Sequence, residues 1–120
     1  MECGIDIVSC DRIEKVVQNQ LFFKKYFSVA EVDYIHSKQN AIQTIAGIFA
    51  CKEAVLKALN IGIGAGLDLK DVSIAHSKFG APQVEMNPKI DYFLSKKNCT
   101  QISVSISHDG GYAIAMCVIF

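Results

Sequence analysis

Two acids in this 120-residue chain lie inside otherwise apolar stretches, Asp6 in CGIDIVS and Glu53 in IFACKEAVLKA. A carboxylate in such surroundings needs a partner, a metal or an edge position to relieve it. Lys57 stands four residues after Glu53, so on a helix the two share a face with Cβ atoms about 5–6 Å apart. Gly62, Gly64 and Gly66 follow directly, where backbone can approach a ligand with no Cβ in the way. If the strand carrying Asp6 packs beside the helix carrying Glu53, the two carboxylates converge, and a hard divalent cation would resolve their repulsion. Mg²⁺ takes one or two protein carboxylates, with water and phosphate oxygens completing an octahedron at about 2.1 Å. Lys57 would then face the same phosphates as a point charge, and His108, at a hairpin mouth after Ser107, suits a loop contact to a charged ligand. Each residue also has a structural reading. Asp6 fits a cap or an edge acid, Glu53–Lys57 a surface ion pair ahead of a glycine cap, and His108 a turn residue.

The elements that must position these groups are legible in the pattern. Cys3–Ser9 alternates as a first strand, with Ile5 and Ile7 on one face and Gly4, Asp6 and Val8 on the other. Asp11-Arg12-Ile13-Glu14 has capping-box spacing and opens a helix towards Gln20; Leu21–Phe27 forms a second short helix. Ser28-Val29-Ala30-Glu31 is a cleaner capping box, starting a helix that ends near Ser37. Asn40 caps the long central helix Ala41–Leu59, whose apolar positions Ile42, Ile45, Ala46, Phe49, Val55, Leu56 and Leu59 fall mostly on one stripe. Val72–His76 and Gln83–Met86 flank a Phe79-Gly80-Ala81-Pro82 turn, and Asn87-Pro88 opens a helix to about Lys97. Ile102, Val104 and Ile106 alternate with Ser103, Ser105 and Ser107, and the Asp109-Gly110 pair signals a hairpin into Tyr112–Phe120. That last strand is apolar on both faces, which calls for a central position or an interface. The order is that of an α+β fold, an antiparallel sheet packed against a long central helix in one domain, residues 1–120.

Half the residues are apolar, and 12 basic residues balance 12 acidic ones, which speaks against disorder and against a nucleic-acid binder. Arg12, Lys15, Lys24 and Lys25 nevertheless cluster near the N-terminus, as a patch for an acidic partner or a solvated helix face would. The five cysteines form no CxxC and the three histidines no zinc spacing, so they read as neutral residues in a reducing, cytoplasmic setting. No apolar run reaches the roughly 20 residues of a membrane span, and no signal peptide is visible.

The assembled residues resemble a known family. Gly4-Ile5-Asp6-Ile7 with Arg12-Ile13-Glu14, Phe27-Ser28 with Glu31, Ala46-Gly47, Phe49-Ala50, Lys52-Glu53-Ala54 and Lys57-Ala58-Leu59 carry the first part of the resemblance. Gly62-Ile63-Gly64, Gly80-Ala81-Pro82, Ser105-Ile106-Ser107-His108 and Tyr112-Ala113 carry the rest, in the same order. The whole chain is similar to the bacterial holo-[acyl-carrier-protein] synthases, the small type of 4′-phosphopantetheinyl transferase. The resemblance implies transfer of the phosphopantetheine arm of coenzyme A to a serine of apo-acyl carrier protein, releasing adenosine 3′,5′-bisphosphate, in support of fatty acid biosynthesis. It implies Mg²⁺ held by Asp6 and Glu53, with Lys57 as a third catalytic group. It further implies that Lys52, Lys57, Gly62, Gly64, Pro82, Ser107 and His108 hold the nucleotide, and that Arg12, Lys24 and Lys25 face the carrier. A homotrimer with coenzyme A between subunits is implied as well.

The chain departs from the family pattern at two places. Ile48 stands where AGRFA has arginine, and Leu56 where a small polar residue is common. Both changes remove contacts that could serve a nucleotide phosphate, for which Lys52 or a neighbouring subunit could compensate. Two rival classes remain open on sequence: a non-catalytic module that binds carrier protein or nucleotide, and a Mg²⁺-dependent phosphohydrolase.

Overall fold

Alternation in the first eight ordered residues gives β1 (Glu2–Ser9), which buries Gly4 and Val8 and half-buries Asp6 on one face. A computed structural model describes residues 1–62 and 64–120; Ile63, within the predicted glycine loop, lies outside the described residues. After β1 come three short helices, α1 (Cys10–Val16), α2 (Leu21–Tyr26) and α3 (Val29–His36), then the 18-residue α4 (Ala41–Ala58). A 3₁₀ turn at Leu69–Asp71 leads to β2 (Ile74–His76), β3 (Pro82–Val84), α5 (Pro88–Lys96), β4 (Ile102–Asp109) and β5 (Tyr112–Ile119). β1, β5 and β4 form an antiparallel sheet with β5 in the middle, and β2–β3 a separate two-stranded ribbon. The expectation of an α+β fold with an antiparallel sheet on a long helix is met.

The inner face of the sheet, with Val8, Ala113, Ala115, Cys117 and Ile119 buried, packs on α4. Small residues in β5 and Gly4 in β1 let the helix come close. A Cβ on Gly4 would stand 2.2 Å from the Ala54 carbonyl oxygen and 2.5 Å from the Ala58 nitrogen. No side chain fits there, so glycine is what allows β1 to run against α4.

The central helix departs from the single stripe read in the sequence. Ile45 to Lys52 are buried without a break, because the sheet covers one side of the helix while α3, β2 and the aromatic residues of α2 cover the other. α1 begins earlier than Asp11, since Ser9 rather than Asp11 accepts from the Arg12 amide and serves as the N-cap. The capping boxes at Ser28 and the caps at Asn40 and Asn87 form as expected. In the β4–β5 hairpin the two turn residues are Gly110 and Gly111, both at positive φ (55° and 81°), one step beyond the Asp109-Gly110 pair. Such a two-residue turn matches the twist of the strands it joins.

The outer face of the sheet is uncovered, with Ile5, Ile7, Ile114 and Met116 exposed on β1 and β5. All five cysteines are free, and burial pushes the Cys51 and Cys117 thiols up to about 12, so both are neutral. Cys3 is exposed on the outer face. Among the described residues no helix is long and apolar enough to cross a membrane.

Candidate functional site

The close approach at Gly4 sets the geometry two residues on. Asp6 lies on the same inner face of β1 and meets α4 in the same Ala54–Ala58 turn that Gly4 abuts, where Lys57 Nζ donates to Asp6 Oδ1 at 2.9 Å and to the Ile5 carbonyl at 3.0 Å. Glu53 is one helical turn before Lys57 and half-buried, and among the described residues it makes no hydrogen bond or ion pair. Burial, then the nearby Asp6 carboxylate, raises its proton affinity, while Lys57 and Arg12 oppose the rise. Glu53 and Lys57 share a face as their spacing predicts, and the packing of β1 on α4, on which the convergence was conditional, brings Asp6 to them.

A carboxylate without a partner beside a second carboxylate suits a divalent cation. Among the described residues no third acid, histidine or cysteine joins the pair. Two protein ligands, with the remaining positions left to water and phosphate, is the Mg²⁺ pattern rather than that of a closed structural site.

Glu53 and Lys57 open into a cleft of about 740 Å³ that also takes Lys25, Gly62, Lys70 and Lys89 on its walls. Of the acids there, Asp71 accepts from the Asp68 amide and, at 3.2 Å, from Lys89, which together lower its proton affinity against the effect of burial. Its walls carry Lys25, Lys57, Lys70 and Lys89 against Glu53, Asp68 and Asp71, so ammonium groups are at hand for an anionic ligand. A second hollow of about 270 Å³ adjoins it, shared by Glu53 with Arg12, Tyr26, Phe22 and Phe49. Arg12 thus stands beside the acid site; Lys24 is exposed on α2, its carbonyl tied to Lys70 Nζ at 3.0 Å. Gly64 and Gly66 adopt positive φ (78° and 99°), so glycine is required by the backbone there.

Pro82 and His108 lie elsewhere. They line a groove of about 250 Å³ with Tyr34, Thr44, Gly47 and His76, at the β4 edge of the sheet, whereas Asp6 stands at the β1 edge. Lys57 is ten residues along α4 from Gly47, about 15 Å of rise. The imidazole of His108 lies on Gly47, where a Cβ would come within 2.8 Å of Nε2. From there Nε2 donates to the Gln43 carbonyl at 3.0 Å.

Two nucleotide contacts implied by the resemblance do not fit this placement. Lys52 is wholly buried, bonded to Glu31 and set 5.1 Å above the Phe27 ring. Burial pulls its proton affinity down and Glu31 counters; it is a core strut and reaches no ligand. It therefore does not compensate for Ile48, which is itself buried. Ser107 projects from the outer face of β4, in register with Ile114 of β5, and reaches neither cleft of its own chain. Sequence reasoning missed Glu31, which also accepts from the amides of Ser28 and Ile74, and the Tyr34–His76 pair; only the capping box hinted at the first.

Comparison with known proteins follows the same lines. The sequence pattern of the 4′-phosphopantetheinyl transferase superfamily matches residues 2–117. A holo-[acyl-carrier-protein] synthase of Leptospira biflexa is 38% identical over 122 residues, covering 100% of this chain and 96% of the relative. The crystal structure of the Helicobacter pylori holo-[acyl-carrier-protein] synthase in complex with coenzyme A superposes with a TM-score of 0.85 at 40% identity, covering 98% of this chain and 99% of that one. The Neisseria meningitidis holo-[acyl-carrier-protein] synthase gives 0.88 at 26% identity, with 99% and 97% covered.

Proposed function

The chain belongs to the 4′-phosphopantetheinyl transferase superfamily, and on that premise we propose that it transfers the 4′-phosphopantetheine arm of coenzyme A to a serine of apo-acyl carrier protein. The products are holo-acyl carrier protein and adenosine 3′,5′-bisphosphate, and the acyl chains carried are those of fatty acid biosynthesis in the cytoplasm. The observation that carries the reading is Glu53, without a partner among the described residues, beside the Asp6–Lys57 pair at the mouth of a cleft that four lysines line.

In this reading Asp6 and Glu53 hold Mg²⁺, which when bound offsets charge on the pyrophosphate oxygens. Lys57 turns its ammonium from Asp6 towards the same oxygens, and Lys25 lies on the cleft wall to assist. The serine oxygen of the carrier attacks the phosphorus nearer the pantetheine. The bond from that phosphorus to the bridging oxygen breaks, and the bisphosphate leaves with the electron pair. Glu53, acting directly or through a bound water, takes the serine proton. Arg12 and the lysines of α2 steer the acidic carrier towards this mouth.

Two features support an assembly with sites between copies, a homotrimer in this family. Residues implied for one ligand lie at opposite sheet edges with α4 between them, so a single coenzyme A touching both needs a second copy. The exposed Ile5, Ile7, Ile114 and Met116 offer an apolar face for the contact.

Mass spectrometry tests the function directly. With coenzyme A, Mg²⁺ and apo-carrier, the carrier gains one phosphopantetheine arm, and chelation of the metal abolishes the gain. Free phosphopantetheine with unmodified carrier would instead indicate a hydrolase, and no change a binding module.

A further inference from the structure

Position 48 bears on the choice of donor as well as on the packing of α4. Ile48 stands where the resemblance has arginine, and it lines the groove at Pro82 and His108 while remaining 1% exposed. Coenzyme A carries phosphate in two places, the pyrophosphate at the reacting centre and a single group on the ribose. Lys25, Lys57, Lys70 and Lys89 line the cleft at Glu53, so cations attend the pyrophosphate. The ribose phosphate falls to the groove. We propose that this chain does not recognise the ribose phosphate and takes 3′-dephospho-coenzyme A as a donor about as readily as coenzyme A, with Ile48 as the residue that sets this tolerance. The proposal rests on the transfer reading above and adds a second donor to it.

Among the described residues that line the groove there is no lysine, arginine or acid. Its polar side chains are largely spent on other bonds. Thr44, one helical turn before Ile48, gives its hydroxyl to the Asn40 carbonyl at 3.0 Å, and His108 Nε2 donates to the Gln43 carbonyl at 3.0 Å. His76 is stacked on Tyr34 with ring centroids 3.9 Å apart; burial, then Lys38, lowers its proton affinity, so the ring is neutral. The lysines of the flanking elements are exposed and laid over rings, Lys38 Nζ 4.8 Å from the centroid of Tyr34 and Lys78 Nζ 6.0 Å from that of Phe79. Lys52, the remaining candidate to replace an arginine at position 48, is sealed against Glu31.

A phosphate gains most from an ionised, bidentate donor such as a guanidinium. Neutral donors return little more than the water they displace, so a phosphate and a hydroxyl on the ribose are nearly equivalent ligands for this groove. The chemistry is the same for both donors. The carrier serine attacks the phosphorus nearer the pantetheine, and the bond from that phosphorus to the bridging oxygen breaks. With 3′-dephospho-coenzyme A the group leaving with the electron pair is adenosine 5′-monophosphate, and the serine proton goes to the same base.

The test compares the two donors on the wild-type chain with apo-carrier, following the carrier mass and the nucleotide released. kcat/KM should differ by less than about tenfold between them, because an exposed, screened ion pair contributes at most about fivefold. A preference of about tenfold or more for coenzyme A, the mark of a hydrogen bond to a charged partner, would mean that a cation from Lys38 or a neighbouring copy reads the phosphate, and overturns the proposal. Ile48→Arg should create that preference, with KM for coenzyme A falling and kcat on 3′-dephospho-coenzyme A unchanged. Thr44→Arg, on the half-buried wall of the same groove, serves if the position-48 variant does not fold. A folded arginine variant with no gain in preference overturns the role given to Ile48. Modification of the carrier by coenzyme A alone sinks this inference and leaves the transfer reading standing. No modification by either donor sinks both.

Discussion

Replacing Gly4 with alanine should separate stability from catalysis in a calculable way. The new Cβ would stand 2.2 Å from the Ala54 carbonyl oxygen, where ordinary contact begins at 3.4 Å. Both Ala54 O and Ala58 N are backbone atoms of α4, so neither can rotate away, and β1 must retreat by about 1 Å. The strand is also paired along its length with β5, so the retreat strains that ladder. Overpacking of this kind costs about 1–3 kcal/mol, and backbone collisions place Gly4→Ala at the upper end. A domain stable by about 5–15 kcal/mol survives such a loss. Asp6 moves with the strand, and a displacement of about 1 Å in a reacting geometry costs roughly 100-fold in rate. Urea denaturation should show a lower midpoint at unchanged slope, and transfer assays a higher Mg²⁺ requirement with kcat down by about two orders of magnitude. Gly62→Ala is the control for stability, because its Cβ meets no atom within 4 Å. A Gly4→Ala chain with wild-type midpoint and wild-type Mg²⁺ dependence would refute the argument that close approach of β1 to α4 sets the site.

Lys52→Met strands the buried Glu31 carboxylate and should cost about 3–5 kcal/mol in thermal or urea unfolding; adding Glu31→Leu should restore part of it, and a mild single variant would contradict the strut role. Arg12→Glu should raise KM for the carrier far more than KM for coenzyme A, and the wild-type carrier KM should climb with salt; equal effects on both substrates would make Arg12 structural. Ala115 is 1% exposed against α4 and Met116 48% exposed on the outer face. Ala115→Glu should therefore abolish folding by circular dichroism, while Met116→Glu should stay folded but sediment as an inactive monomer. Met116→Glu remaining assembled and active would remove the outer face from the interface.

Much of the fold was legible because its signals are local. The cap at Ser28 with Glu31 three residues on, Asn40 and Asn87 before their helices, and the alternation in β1 and β4 act through neighbours in the chain, so they can be read from spacing. Glu53 and Lys57 also fell where the helical period put them. Near misses arose where two local signals compete, as at Ser9 and Asp11 for one cap, or Gly110 and Asp109 for one turn. Contacts between distant parts of the chain were another matter. Lys52 and Lys57 are the same residue type on one helix, yet one is sealed against Glu31 and the other reaches Asp6 at a cleft mouth. Their faces are told apart only by what packs on each side of α4. Ser107 and His108 are adjacent in sequence and point to opposite faces of β4, because side chains alternate along a strand. The division of the implied nucleotide residues between two sheet edges has the same origin: strand order β1-β5-β4 sets Asp6 and His108 apart, and order in a sheet is decided by which buried faces fit together, not by spacing along the chain.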